Sequence, residues 1–419
     1  MNCAMIFLNN YFCVSLKSRL PTMSKFICPY CFEEMDSNEV WFQCSNSACY
    51  KGFLDNTQPR EYLPQPNVFE AWSPNRLQRM FGVHNPVEAW CPKCSAMTST
   101  RACPHCSSAF PHGIDGLSNI VIAIIGAKET GKSHYIAVLI QQIYNLYNQF
   151  DWSLMAMDDE TMRLYNDRFH KPLYTNRKTI DPTQTAKANQ DVRKPLLYSL
   201  SKTTGRRMQT VTLAFFDTAG EDMDDELAMR TINPYIYNAS GIILLLDPLQ
   251  ISRIRDRVDG AFHALQPDGE SGVGVNLPST DNTSVGDIIN KTTNLIHTKR
   301  RLSPSKTIPI PLAVVFSKID MLKPVLGEDA PIYQPSRHRG VFNIREYENN
   351  DAFVRNWVGE FDRRFIQGIR HYRDTAFFGA SALGGNPTVT GDLPFEPRPI
   401  RVEDPFLWLL WKNGFIQGK

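Results

Sequence analysis

An apolar run, Ile120-Val121-Ile122-Ala123-Ile124-Ile125, passes directly into Gly126-Ala127-Lys128-Glu129-Thr130-Gly131-Lys132-Ser133. The run has the length and composition of a strand buried on both faces of a parallel sheet. His134 to Tyr147 then carries Ile136, Leu139, Ile140, Ile143 and Leu146 at helical spacing. Strand, glycine-bracketed turn and helix in that order constrain the chain to an α/β architecture with a phosphate-binding loop. Gly126 and Gly131 let the loop, with Lys128, Glu129 and Thr130 between them, turn its N–H groups inward toward phosphate oxygens. The helix N-terminus adds its positive end. Lys132 is placed for the β- and γ-phosphates, and the Ser133 hydroxyl for Mg²⁺.

Four further apolar runs follow, and motifs sit at their ends. Val211 to Phe216 leads into Asp217-Thr218-Ala219-Gly220-Glu221. An aspartate at a strand end can hold Mg²⁺ through water, and Gly220 can offer its N–H to a γ-phosphate. Gly241 to Leu246 is almost continuously apolar and reads as an interior parallel strand. Ile310 to Phe316 ends in Ser317-Lys318-Ile319-Asp320, and Thr375 to Phe378 runs on through Gly379 and Ala380 to Ser381-Ala382-Leu383. Ligands of such sheets bind beyond the C-terminal strand ends, where all these motifs lie.

The ten cysteines divide sharply. Cys3 and Cys13 lie in an N-terminal stretch whose apolar patches are interrupted by Asn9 and Asn10, a poor signal peptide. With Met23 just ahead of the first cysteine motif, residues 1–23 read as a tail or an upstream-start extension. The other cysteines form two groups in sequence: Cys28, Cys31, Cys44 and Cys49, then Cys91, Cys94, Cys103 and Cys106. Each Cys-x2-Cys pair can aim two thiolates at one ion, so each group is expected to form a closed, structural zinc site with four thiolate ligands. The spacing leaves open an interleaved pairing, or replacement of a thiol by His84, His105 or His112. Paired cysteines beside a nucleotide loop fit metal binding in a reducing cytoplasm better than a secreted disulfide framework. Lys51, Lys93 and Arg101 are too sparse to suggest phosphate contacts, so a structural or protein-docking role is favoured over nucleic-acid binding.

The formal net charge of +2 excludes nothing about partners, and no apolar stretch approaches the roughly 20 residues of a membrane span. Three domains or segments are expected: 1–23, a zinc-ribbon module at 24–115, and an α/β domain at 116–419. The last has insertions near 150–208, 266–300 and 321–350. The first insertion is basic, with Arg163, Arg168, Lys171, Arg177 and Lys178 among others. It reads as a solvated face, or as a contact for an acidic protein or a nucleic acid controlled by the nucleotide.

From residue 120 to 383 the chain resembles the G domain of translation-factor-related and Ras-like (TRAFAC class) GTPases. The shared features are the phosphate loop, Asp217-Thr218-Ala219-Gly220, Ser317-Lys318-Ile319-Asp320 and Ser381-Ala382-Leu383. The resemblance implies a P-loop NTPase fold, a mostly parallel sheet flanked by helices, that binds GTP or GDP. Asp320 would pair with the guanine N1 and N2 hydrogens, the Lys318 stem would stack on the base, and the Ala382 N–H would meet O6. Ser317 departs from the usual Asn or Thr. A switch threonine is also implied; Thr179, Thr183 and Thr185 are candidates and Thr185 is chosen, because strand-like Leu196 to Leu200 follows. With N-terminal ribbons, the chain also resembles the bacterial double-GTPase group, which implies a place in conflict or defence systems.

Glu221 stands where Ras-like proteins usually carry glutamine. An ionised glutamate accepts but does not donate, so slow GTP hydrolysis is expected, with Lys132, Thr185, Gly220 and Glu221 at the reacting end. Lys128 is a candidate cation in cis. The expectation is a cytoplasmic GTP-hydrolysing switch with two structural Zn²⁺ ions. Its partner would be an effector or activating protein, which a second GTPase would satisfy. A GTP-sensing scaffold with little turnover, and a nucleic-acid-binding protein regulated by its G domain, are the alternatives.

Overall fold

Continuous apolar runs with both faces covered dictate the centre of the larger folding unit. In the computed structural model the described residues are 25–36, 39–46, 48–49, 67–71, 78, 86–111, 118–126, 129–181, 195–205, 207–217, 234–265, 285–303, 305–361, 363–388 and 390–419. The chain divides into two units, one of Met1–Phe26 with Met35–Gly116 and one of Ile27–Glu34 with Leu117–Lys419.

The smaller unit is built on short strands. Of these, β3 (Trp41–Gln43) lies between β4 (Val68–Phe69) and β7 (Arg101–Ala102), and β5 (Ala89–Trp90) pairs with β6 (Met97–Thr98). Where the sequence runs from Lys25, β1 (Lys25–Ile27) pairs with β2 (Glu34–Asp36).

The larger unit centres on a seven-stranded sheet in the order β14-β13-β12-β8-β11-β10-β9. Its strands are β8 (Ser118–Gly126), β9 (Trp152–Ala156), β10 (Leu196–Thr204), β11 (Arg207–Phe215), β12 (Gly241–Leu246), β13 (Leu312–Phe316) and β14 (Thr375–Gly379). Only β10 runs against the others, pairing antiparallel with both β9 and β11. Side chains alternate along β8: Ile122 and Ile124 enter one core layer, Val121, Ala123 and Ile125 the other. Helix α1 (Lys132–Asn145) packs Ile136, Leu139, Ile140 and Ile143 into the first layer. That helix begins just after the loop, so the sheet and α1 together fix where the loop must turn.

Strand β8 changes partner midway. Residues 118–121 pair with β11, and 122–126 pair with β12. Beyond the change, the β8 groups facing β11 need other partners. The Tyr235 hydroxyl supplies them: it donates to Ile122 O (2.5 Å) and accepts from Ile124 N (3.0 Å) and Phe216 N (3.4 Å). Tyr235 thus ties the strand that feeds the phosphate loop to the one that feeds Asp217.

The segment Ile27–Glu34 packs within this same unit. Phe32 is fully buried, its ring 4.7 Å from that of Tyr235 and 5.7 Å from that of Phe216. Asn238 Nδ2 donates to Phe32 O (2.9 Å), the Tyr237 hydroxyl donates to Glu33 Oε1 (2.9 Å), and the Asn119 side chain holds both the N–H and the carbonyl of Ile27. Phe32 adopts φ +59°, a left-handed conformation uncommon for a bulky residue. Burial of its ring, worth about 1.5–3 kcal/mol, outweighs that strain of about 1–2 kcal/mol.

Candidate guanine-nucleotide site and cysteine clusters

The phosphate loop is shaped by close approach. A Cβ on Gly126 would lie 2.6 Å from Leu245 O and 2.8 Å from Thr130 Oγ1, so only glycine lets β8 turn here against β12. Gly131 takes φ +83° and caps α1, and Thr130 is buried. Lys132 is also buried, with its ammonium donating to Gly126 O (3.3 Å), so its charge is folded back over the loop. The Ser133 hydroxyl lies 3.1 and 3.0 Å from the two carboxylate oxygens of Asp217, which is itself buried at the end of β11. A hydroxyl and a carboxylate converging beside a phosphate loop form the hard oxygen set that Mg²⁺ takes in such sites.

Lys318 sits in a left-handed turn (φ +54°) after β13. Its ammonium donates to Glu129 O (2.9 Å) and pairs with Asp247 Oδ2 (2.7 Å). The contact links the β13 motif directly to the phosphate loop. Ser317 anchors the turn, its N–H (2.8 Å) and hydroxyl (3.1 Å) both donating to Leu246 O. Ile319 N bonds to Ala380 O (3.3 Å), which brings Asp320 beside the loop after β14. Burial pushes the Asp320 carboxyl up, opposed by a hydrogen bond from Ser381. A base edge offering N–H donors would stabilise its charged form. Ser381 is fixed through reciprocal backbone bonds with Ile400 (3.0 and 2.8 Å), and Ala382 packs against the core beside it.

Three contributors carry no role in the sequence reading. Asp247 is fully buried, pairs with Lys318 and accepts from Leu249 N (2.9 Å). Its signal was an acid at the end of an apolar strand. His134, next to Ser133, accepts from Ile180 N (3.1 Å) and so ties α1 to the stretch before residue 182. Burial, with the Lys318 charge nearby, drives its imidazole down to about 4 and keeps it a neutral acceptor. Arg168 places its guanidinium 3.6 Å from Asp217 Oδ2; in the sequence it was one of many basic residues.

Lys128, Thr183, Thr185, Gly220 and Glu221 lie outside the described residues, as do residues 1–23, His84, His112 and residues 266–284. Thr179 is held elsewhere, its N–H bonded to Gly391 O (2.8 Å).

The cysteines are paired differently from their order in sequence. Cys28, Cys31, Cys103 and Cys106 form one cluster and Cys44, Cys49, Cys91 and Cys94 the other, the sulfurs of each lying within 4.8 Å of one another. The expected grouping of Cys28–Cys49 and Cys91–Cys106 is therefore replaced by an interleaved one. Its cause lies in the β3–β7 ladder, where Trp41 faces Ala102 and Phe42 faces Arg101. In that antiparallel register Cys44 and Cys103 leave by opposite ends. Cys44 comes out beside the β5–β6 hairpin that bears Cys91 and Cys94, where Thr98 Oγ1 donates to Gln43 O (2.7 Å) and Ser45 Oγ to Met97 O (3.2 Å).

Three Cys-x2-Cys knuckles share one geometry. Cys28, Cys91 and Cys103 each accept through their carbonyl from the residue four positions on, at 2.8, 2.9 and 2.9 Å. Those residues, Phe32, Ser95 and Ser107, have φ values of +59°, +56° and +60°. The crowding of thiols also fits a cation: burial and hydrogen bonds from Cys94 and Cys91 push Cys49 up to about 12. A divalent metal removes that cost by holding the sulfurs as thiolates.

The Double-GTPase 2 family model matches residues 120–349. The putative ESX-1 scaffolding and assembly protein SaeC of Mycolicibacterium smegmatis (strain ATCC 700084 / mc(2)155) is 29% identical over 307 residues, covering 72% of this chain and 71% of its own length. Among solved structures, the Trypanosoma brucei Arl6 BBS3 small GTPase with bound GppNp aligns at 13% identity over 71% of this chain and 99% of its own, with a TM-score of 0.27. The Saccharomyces cerevisiae (S. cerevisiae) Ski7 GTPase-like domain bound to GDP and inorganic phosphate aligns at 12% identity over 71% of this chain and 50% of its own, with a TM-score of 0.28. The family match spans more than half of the chain and contains the phosphate loop, Asp217 and the Lys318–Asp320 turn. The chain belongs to the Double-GTPase 2 family.

Proposed function

We propose that this chain is a guanine-nucleotide switch with two structural zinc sites, and that its nucleotide state controls the docking of protein partners in an assembly. The observation that carries the reading is the Lys318 ammonium, which bridges Glu129 O in the phosphate loop and Asp247 beside the base-side turn. That bridge joins a phosphate cradle to Asp320 and Ser381, the acceptor and loop that suit guanine.

In this reading Gly126, Lys128, Glu129, Thr130, Gly131 and Lys132 hold the phosphates. Ser133, Asp217 and Thr185 would hold Mg²⁺, which would supply charge neutralisation for the phosphates. Gly220 and Thr185 follow the γ-phosphate and release when it leaves. Hydrolysis is in-line: a water oxygen bonds to the γ-phosphorus as the bond to the β–γ bridging oxygen breaks. GDP departs with that electron pair, and the water proton ends on phosphate. Glu221 lacks a donor when ionised, so turnover is slow without a partner. The SaeC likeness favours scaffolding in an assembly, with a protein partner, over nucleic-acid binding; a conflict or defence role rests on the group resemblance alone. No helix among the described residues is long and apolar enough to cross a membrane, and the reading places the protein in the cytoplasm.

One preparation tests both halves. Metal analysis of the full chain should give two zinc ions, and excess enzyme with GTP and Mg²⁺ should release phosphate that Lys132→Ala does not. Phosphate at background in the wild type would reduce the reading to a GTP-sensing scaffold; absence of zinc would remove the metal sites.

A further inference from the structure

We propose that Arg168 is the chain's own cation for the γ-phosphate, poised in cis at the reacting end of the site. The proposal rests on the guanine-nucleotide reading above and adds a catalytic residue to it.

Arg168 is held in place by a built arm. Helix α2 (Asp159–Tyr165) starts at Asp158, whose carboxylate accepts from Thr161 N (2.6 Å), with Asp159 and Glu160 complementing the helix dipole in its first turn. Thr161 Oγ1 accepts from Leu197 N (3.0 Å), which pins α2 to β10. The Tyr165 hydroxyl donates to Ala137 O (3.2 Å) on α1, the helix that carries Ser133. The chain then winds as a π-helix over Asn166–Thr175, with Phe169 and Leu173 buried. Such windings are uncommon and are frequent at functional sites.

Arg168 lies in the first turn of this winding. Its guanidinium lies 3.6 Å from Asp217 Oδ2 and 5.3 Å from the Phe169 ring centroid, with 27% of the side chain exposed. It therefore stands, partly open to solvent, beside the carboxylate that Ser133 touches at 3.0 Å. The other described cations near the loop have places of their own: Lys132 lies over the phosphate loop at Gly126 O, and Lys318 bonds Glu129 O and Asp247. A divalent ion at Ser133 and Asp217 would repel the guanidinium from the carboxylate and leave it to pair with an incoming phosphate anion. A guanidinium suits that acceptor because its planar fork bonds two phosphate oxygens at once. The need is set by Glu221, which as an anion stabilises no charge on the leaving phosphoryl group. Arg168 thereby takes the role that the sequence offered to Lys128.

The test measures binding of a fluorescent GDP analogue, its capture as a fluoroaluminate complex with Mg²⁺, and single-turnover phosphate release, all on the full chain. The wild type should bind GDP and capture fluoroaluminate. Arg168→Ala should bind GDP within about twofold of wild type, lose the capture, and release phosphate at least about 100-fold more slowly, as removal of a catalytic arginine does. Arg168→Lys, which keeps the charge but not the fork, should recover part of the rate and little of the capture. Unchanged capture and release in Arg168→Ala would overturn the proposal, as would a wild type that binds GDP without capturing fluoroaluminate. A wild type that binds no GDP would overturn the nucleotide reading itself, before any variant is compared.

Discussion

His134 shows how one residue serves fold and site together. It follows the phosphate-loop serine, and its neutral Nε2 accepts from Ile180 N at 3.1 Å. The imidazole titrates at about 4 in the folded chain, because burial and the Lys318 charge oppose its cation, against 6.5 ordinarily. The unfolded chain thus takes up a proton below about pH 6.5 that the folded chain refuses until about pH 4. Stability from His134 is complete above that range and is lost as pH falls through it, by on the order of 2–3 kcal/mol. Urea midpoints at pH 7 and pH 4.5 should differ less for His134→Gln than for wild type; equal differences would remove His134 from the acid response. Residues such as Lys132, Ser133 and Asp217 were legible in sequence because their spacing is fixed by the loop and strand that present them. His134 and Arg168 were not, since each acts through a partner distant in sequence: Ile180 for one, Asp217 for the other.

At the scale of elements, the interior strands were legible because β8, β12 and β13 are apolar on both faces. Strands β9 and β10 were less so: Ser153, Ser199, Ser201, Lys202 and Thr203 break the pattern, and the antiparallel turn of β10 leaves no trace in composition. The knuckle at Ile27–Glu34 looks in sequence like part of a cysteine module, yet its Phe32 is a core residue of the nucleotide-binding unit. That ring braces Tyr235, whose hydroxyl fills the gap where β8 leaves β11. Phe32→Ala in the full chain should therefore lower unfolding free energy by about 3 kcal/mol or more, the cost of emptying a buried aromatic site. A loss under about 0.5 kcal/mol by chemical denaturation would show that the knuckle does not brace this core. Cysteine order could not give the cluster pairing either, because strand register, not spacing, decides which hairpin meets which.

Across the whole molecule, the described motifs of the candidate site lie beyond the C-terminal ends of β8, β11, β13 and β14, where an α/β sheet opens to ligands. The ends of β12 and β13 are joined through Asp247 and Lys318, and those of β13 and β14 through Ile319 and Ala380. The sides proposed for base, phosphate and metal therefore form a single frame within one unit. In the proposed reading Asp320 selects guanine by accepting from N1–H and the N2 amine. The most direct test is equilibrium binding of fluorescent GTP, ATP and xanthosine triphosphate, with Mg²⁺, to the wild type and Asp320→Asn. An asparagine amide offers a donor where the carboxylate offers only acceptors, which suits the 2-oxo group of xanthine. The wild type should prefer GTP, and the variant should lose at least about tenfold in GTP affinity while gaining for xanthosine triphosphate. Equal binding of GTP and ATP by the wild type, or no change of preference in Asp320→Asn, would contradict it.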